Sequence, residues 1–149
     1  MSKLVILMYQ SIYILYRLRI PFLPSILNII FIRLLFSCQI GMGAKLGKGV
    51  VLGYGGLGIV IHKRVIIGKN VIITQGVTIG GTSKIYDVPK IGNNCLIAPG
   101  AKILGPVVVG DNSVIAANAV VLSNVPANSI VAGIPAKVIK ENIKIEDYI

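Results

Sequence analysis

Between Ile40 and Val121 an aliphatic residue stands at every sixth position, with only two breaks in the count. The series is Ile40, Leu46, Leu52, then Ile61, Ile67, Ile73, Ile79, then Ile91, Ile97, Ile103, Val109, Ile115, Val121. Ile, Leu and Val make up 58 of the 149 residues, so chance would fill these thirteen slots with a likelihood of about 10⁻⁵. A period of six is neither the 3.6 of a helix nor the 2 of a simple strand. It predicts a β-helix of hexapeptide repeats, in which three hexads make one coil and coils stack about 4.8 Å apart through parallel ladders.

The rest of each hexad supports that geometry. Ile67-Gly-Lys-Asn-Val-Ile, Ile91-Gly-Asn-Asn-Cys-Leu and Val109-Gly-Asp-Asn-Ser-Val place Gly and Asn in the turn, where unusual backbone angles are needed. The fifth position holds small residues such as Ala44, Val65, Cys95, Ala101, Ser113 and Ala119, which suit a tight corner. Cys95 is therefore read as packing, and Cys38 has no catalytic partner. Two cysteines make neither a disulfide framework nor a zinc site. They fit a reduced, cytoplasmic compartment.

Both breaks fall in unusual stretches. Leu52 to Ile61 is three residues too long and carries Gly53-Tyr54-Gly55-Gly56-Leu57-Gly58. Ile79 to Ile91 spans twelve residues, which two ordinary hexads with Ile85 in register would also fill. Tyr86, Asp87 and Pro89 suit a corner poorly, so residues 80–90 are read as an excursion loop. Insertions in solenoids are where binding surfaces usually sit. The predicted organisation is a helical segment over 1–39, the β-helix over 40–126 with loop 80–90, and a C-terminal segment over 127–149. Its last ten residues cap the coil or fray.

Residues 1–39 hold two apolar stretches with Lys3, Arg17, Arg19 and Arg33 and no acid. Each stretch is about thirteen residues, short of the roughly 20 needed to span a bilayer. They are read either as helices packed on the coil or a neighbouring subunit, or as an interfacial anchor facing anionic lipid at the inner face of the membrane. Overall the chain is 54% apolar and 13% charged, a balance that suggests surface hidden in an oligomer or at a membrane. The net charge of +10 suits an anionic partner. No basic run is interleaved with aromatics, so nucleic acid is not expected.

The segments Gly58-Ile-Val-Ile, Gln75-Gly-Val-Thr-Ile-Gly-Gly81, Pro89-Lys-Ile, Gly100-Ala-Lys-Ile-Leu-Gly105 and Ala132-Gly-Ile-Pro-Ala-Lys137 resemble those of the hexapeptide acyltransferases. Within them the chain resembles the serine acetyltransferase-like group. The resemblance implies an all-β fold, a left-handed parallel β-helix preceded by the short apolar helical segment. It also implies a homotrimer with active sites between subunits, acetyl-CoA as co-substrate, no metal, and an acceptor hydroxyl. Three departures point away from L-serine. Tyr54 and Gly55 stand where serine acetyltransferases carry an Asp-His pair, Val88 stands where they carry a second His, and 39 residues fall short of their long helical N-terminal domain. Leu52-Gly-Tyr-Gly-Gly-Leu-Gly-Ile-Val-Ile-His62 is closer to small acetyltransferases of surface-polysaccharide synthesis, so a free or lipid-linked sugar is the expected acceptor. L-Serine is the alternative, and a non-catalytic trimeric scaffold at the membrane is the alternative of another class.

Acetyl transfer to an alcohol needs a base, donors for the tetrahedral oxyanion, and a groove for coenzyme A. His62, the one histidine, follows an inward residue and is the candidate base, with Asp87 next. Gly80 and Gly81 offer backbone N–H groups for the oxyanion, and Tyr54, a more distant candidate for the base, is grouped with them in binding the oxyanion or acceptor. The resemblance implies a coenzyme A groove along Ala98, Gly100, Gly105, Ala116, Ala117, Gly133, Pro135 and Ala136. Lys102 and Lys137 would meet its phosphates.

Overall fold

The computed structural model describes residues 2–149. Fourteen short strands stack as three parallel sheets that wind into a β-helix, and one antiparallel strand closes its end. The first sheet holds β1 (Gln39–Ile40), β4 (Val60–Ile61), β7 (Thr78–Gly80), β10 (Lys102–Leu104) and β13 (Val120–Val121). The second holds β2 (Lys45–Leu46), β5 (Ile66–Ile67), β8 (Lys90–Ile91) and β11 (Val108–Val109). The third holds β3 (Val51–Leu52), β6 (Ile72–Ile73), β9 (Leu96–Ile97), β12 (Val114–Ile115), β14 (Ile130–Gly133) and the antiparallel β15 (Ala136–Lys140). Of the thirteen periodic aliphatics, all but Leu46 are buried, and the fifth-position residues are buried beside them. Two inward side chains per hexad thus fill the triangular interior.

The corners explain why the strands are so short. Gly49, Asn70, Asn94, Asn112 and Asn128 all take positive φ at the corner between the second and third sheets. Their side chains form a ladder: Asn70 Nδ2 donates to Asn94 Oδ1 (3.1 Å), Asn94 to Asn112 (3.1 Å) and Asn112 to Asn128 (2.9 Å). Asparagine serves twice there, tolerating the left-handed backbone and satisfying its amide on the next coil.

Ladder partners Ile61 and Ile79 lie eighteen residues apart, the length of three hexads. Ile40 and Ile61 are twenty-one apart, and Ile79 and Ile103 twenty-four. The first excess is taken up at the corner between the third and first sheets, where Gly53–Gly56 forms a 3₁₀ turn. The second leaves the coil at the corner between the first and second sheets as residues 81–89, with Ile85 47% exposed. Near the far end the coil itself shortens, and Ile115 pairs with Val131, sixteen residues on.

Helix α1 (Ser2–Arg17) packs on β3 and the Gly53–Gly56 turn, covering the open first coil. Its inward stripe is Val5, Tyr9 and Ile12, spaced as a helix face requires. The Tyr9 hydroxyl donates its proton between the carbonyls of Gly41 (3.0 Å) and Ala44 (2.9 Å), and burial pushes its pKa well above the ordinary phenol range. Helix α2 (Leu23–Leu27) widens into a π-helical stretch, Asn28–Leu35, that buries Ile32 and sends Asn28 Nδ2 to the Ile40 carbonyl at 3.2 Å. No helix among the described residues is long and apolar enough to cross a membrane. At the other end the tail folds back, burying Ile143 and Ile145 against Val114 outside the third sheet.

Replacing Ile97, wholly buried in mid-coil, should cost about 2–5 kcal/mol for Ile97→Ala. Ile85→Ala in the loop should stay within about 0.5 kcal/mol. Urea denaturation of the two variants checks the contrast.

Candidate active site

His62 stands at the end of β4, where the chain turns from the first sheet to the second. Its backbone N–H donates to the Ile79 carbonyl at 2.9 Å, which fixes the residue against the next coil. The ring is half-buried, and its Nδ1 accepts the Arg64 backbone N–H at 3.2 Å. A neutral imidazole so bonded carries its proton on Nε2. Desolvation, then the charges of Arg64 and Lys63, lower its pKa from the ordinary 6.5, so the ring is neutral at pH 7.

The side chain faces a groove of about 430 Å³ also lined by Gln39, Gly41, Gly80 and Gly81. The structure therefore brings His62 together with both glycines, although they lie eighteen and nineteen residues downstream. Gly81 sits against the returning loop: a Cβ there would lie 3.2 Å from Val88 Cγ1, tighter than ordinary contact. Asp87 is exposed and lines a second, adjoining cavity of about 540 Å³, which shares Met42 and Lys63 with the first.

Within the chain, Tyr54 lies apart from this group. It lies 74% exposed in the Gly53–Gly56 turn, at the opposite end of β4 from His62. Both breaks in the period carry candidate residues, but the triangular path puts them on different corners.

The coenzyme A candidates divide in the same way. Ala98, Gly100, Ala116 and Ala117 stack along the corner between the third and first sheets. The β14–β15 hairpin, with Gly133, Pro135 and Lys137 at its exposed turn, continues that edge. Gln75 Oε1 is buried on the same corner without a hydrogen-bond partner. Three candidates need correction. Lys102 Nζ is bound to the carbonyls of Gly76 (2.7 Å) and Gly100 (2.9 Å), so its ammonium holds the edge together. Ala136 is buried beneath the hairpin, and Gly105 lies on the His62 corner beside Thr82. Both thiols are buried, and desolvation pushes Cys38 and Cys95 up to about 11, which suits packing and not nucleophilic chemistry.

Residues 89–123 match the family of bacterial transferase hexapeptide repeats. The chain is 42% identical over 127 residues to the serine acetyltransferase of Synechococcus elongatus, covering 84% of this chain and 51% of that protein. It is 46% identical over 112 residues to that of Staphylococcus aureus, covering 74% and 52%. It superposes with a TM-score of 0.84 on the crystal structure of serine acetyltransferase with coenzyme A from Brucella abortus, at 38% identity, over 91% of this chain and 54% of that one. The chain is a serine acetyltransferase-like hexapeptide-repeat protein. It spans about half the length of the relatives it matches. A superposition that good preserves the hand of the coil, so the left-handed winding of the family carries over.

Four cations near His62 and the 81–89 loop carry no expectation from the sequence. Lys63 and Arg64 directly follow His62, and Lys45 and Lys90 take the outward slot just before Leu46 and Ile91. The six-residue register contains the signal for the two lysines. Their convergence with the corner pair depends on the two insertions.

With a single histidine in the chain, its Cε1–H NMR signal reports one titration. The midpoint should fall below 6.5, and Lys63→Ala should move it upward by removing one like charge. A midpoint above 6.5 would contradict this environment.

Proposed function

We propose that the chain is an acetyl-CoA-dependent O-acetyltransferase. The observation that carries this is His62 facing Gly80 and Gly81 across one groove, on a coil that superposes on an acetyltransferase crystallised with coenzyme A. In the proposed reaction His62 removes the acceptor's hydroxyl proton as the oxygen attacks the thioester carbonyl. Backbone N–H groups near Gly80 and Gly81 steady the oxyanion. Collapse expels the thiolate of coenzyme A, which takes the proton from the imidazolium. For Nδ1 to act as the base it must release the Arg64 amide, at a cost of about 1 kcal/mol, small beside a catalytic contribution of about 10²–10⁴-fold.

The small-residue edge that would hold coenzyme A and the corner that holds His62 lie on opposite sides of the first sheet. A homotrimer, in which the edge of one subunit meets the His62 corner of its neighbour, is the assembly that completes the site. Tyr54 would then belong to the coenzyme A side.

L-Serine is the acceptor that the relatives' activity supports, and it is the first to test. A sugar hydroxyl of a surface polysaccharide is the second reading, favoured by Tyr54, Gly55 and Val88 standing where serine acetyltransferases carry Asp, His and His. Thiol release from acetyl-CoA should appear with one of these acceptors and fall about 10²–10⁴-fold in His62→Ala. Full activity in that variant removes His62 as the base. Failure to bind acetyl-CoA favours the scaffold.

A peripheral contact with anionic membrane through residues 1–39 is proposed on separate grounds. Leu4, Leu7, Ile14, Leu18, Phe22 and Leu34 are exposed beside Arg17, Arg19 and Arg33. The full chain should float with phosphatidylserine-containing vesicles but not with neutral ones, and Arg17→Glu/Arg19→Glu should reduce flotation severalfold.

A further inference from the structure

The larger cavity next to the His62 groove has a composition that acetyl transfer does not by itself require. Lys45 and Lys90 project from the outer face of the second sheet, where both pair in register with Ile66. Two ladder steps separate them by about 10 Å. Lys63 and Arg64 enter from the adjoining corner, so four cations line a wall in which Asp87 is the one carboxylate. Four cations against one carboxylate leave the lining net positive, which favours an anion there.

Arg64 is the best-held of the four. Its guanidinium lies 4.1 Å from the centre of the Tyr86 ring, and Nη2 donates to the Tyr86 carbonyl. Its Nε is buried and has no partner. A planar donor group held by Tyr86 of the 81–89 loop, with its Nε–H unpaired, is preorganised for a tetrahedral oxyanion.

The lining is also aromatic. Tyr13 and Tyr16 of α1 line the cavity with ring centroids 6.2 Å apart, offering apolar faces beside phenolic hydroxyls. The volume of about 540 Å³ lies within the roughly 300–1,000 Å³ that encloses ligands larger than an amino acid. A zwitterion as small as serine neither fills that space nor balances that charge. Met42 and Lys63 line both spaces, so the cavity adjoins the groove at His62.

We propose that this cavity is an anion subsite that holds the phosphate of a phosphorylated sugar and presents a hydroxyl of that sugar to His62. The shared chemistry is a glycosyl phosphate, whether free or at the head of a lipid carrier. The inference rests on the acetyltransferase reading and chooses the second of its two acceptors.

Calorimetry on the full chain tests it with glucose 1-phosphate, glucose and L-serine as titrants. Glucose 1-phosphate should bind at least tenfold tighter than glucose or serine. Lys90→Ala and Lys45→Ala, both at exposed side chains, should each weaken it about tenfold, as should Arg64→Gln. Lys69→Ala, outside the cavity, should leave it unchanged. Desulfo-coenzyme A should bind all of these variants as it binds the parent and should not displace the sugar phosphate. Displacement would overturn the proposal by assigning the cations to coenzyme A, and so would equal binding of glucose and its phosphate. Absence of coenzyme A binding with sugar phosphate still bound would instead overturn the acetyltransferase reading. Acetylation of glucose 1-phosphate in solution, against a polyprenyl-phosphate-linked glucose in vesicles, identifies the source. Acetylation of serine alone overturns the subsite's role.

Discussion

Every strand of the coil depends on its neighbours above and below, because none is long enough to form structure within itself. β4 has two residues, and its hydrogen bonds run to the coils on either side: Gly41 N–H to the Ile61 carbonyl, Val60 N–H to that of Val77. The inward aliphatics supply the compensating burial, each stacked on the equivalent residue one coil away. Stability in such a solenoid is a sum of nearest-neighbour terms, so the end coils need covering. Helix α1 and the Asn28–Leu35 stretch cover one end, and the β14–β15 hairpin with the returning tail closes the other.

That dependence also explains where the sequence is free to vary. An insertion within a strand would shift every inward residue outward, whereas one at a corner leaves the ladders intact. Gly53–Gly56 and residues 81–89 both obey this rule, at different corners. The loop brings Tyr86 onto Arg64 and Val88 onto Gly81, so the irregular part of the coil builds the walls around His62.

The architecture was legible because a period of six registers one fact, which side chains point inward. The same period marks His62 as outward, since it follows Ile61. That Tyr54 lies apart from Gly80 and Gly81 within one chain is not carried by the linear count, because a triangular coil sends successive breaks to different corners. Lys102 read as a free cation because its two carbonyl partners, at Gly76 and Gly100, lie on its own and a neighbouring coil. The basic cavity was hidden likewise. Lys45, Lys63 with Arg64, and Lys90 come from successive coils whose spacings are stretched by the insertions, so no single window shows them together.

The asparagine ladder has a direction. Each amide from Asn70 onward gives its N–H to the next coil's carbonyl oxygen, so the side-chain dipoles add head to tail along the axis. Turning one amide over would set donor against donor on one side and acceptor against acceptor on the other. The whole column must therefore keep one sense or reverse together. Gly49 occupies the first place in that column with no side chain, which leaves Asn70 as its origin. The corner thus behaves as a polar thread with a fixed beginning, telling one end of an otherwise repetitive coil from the other.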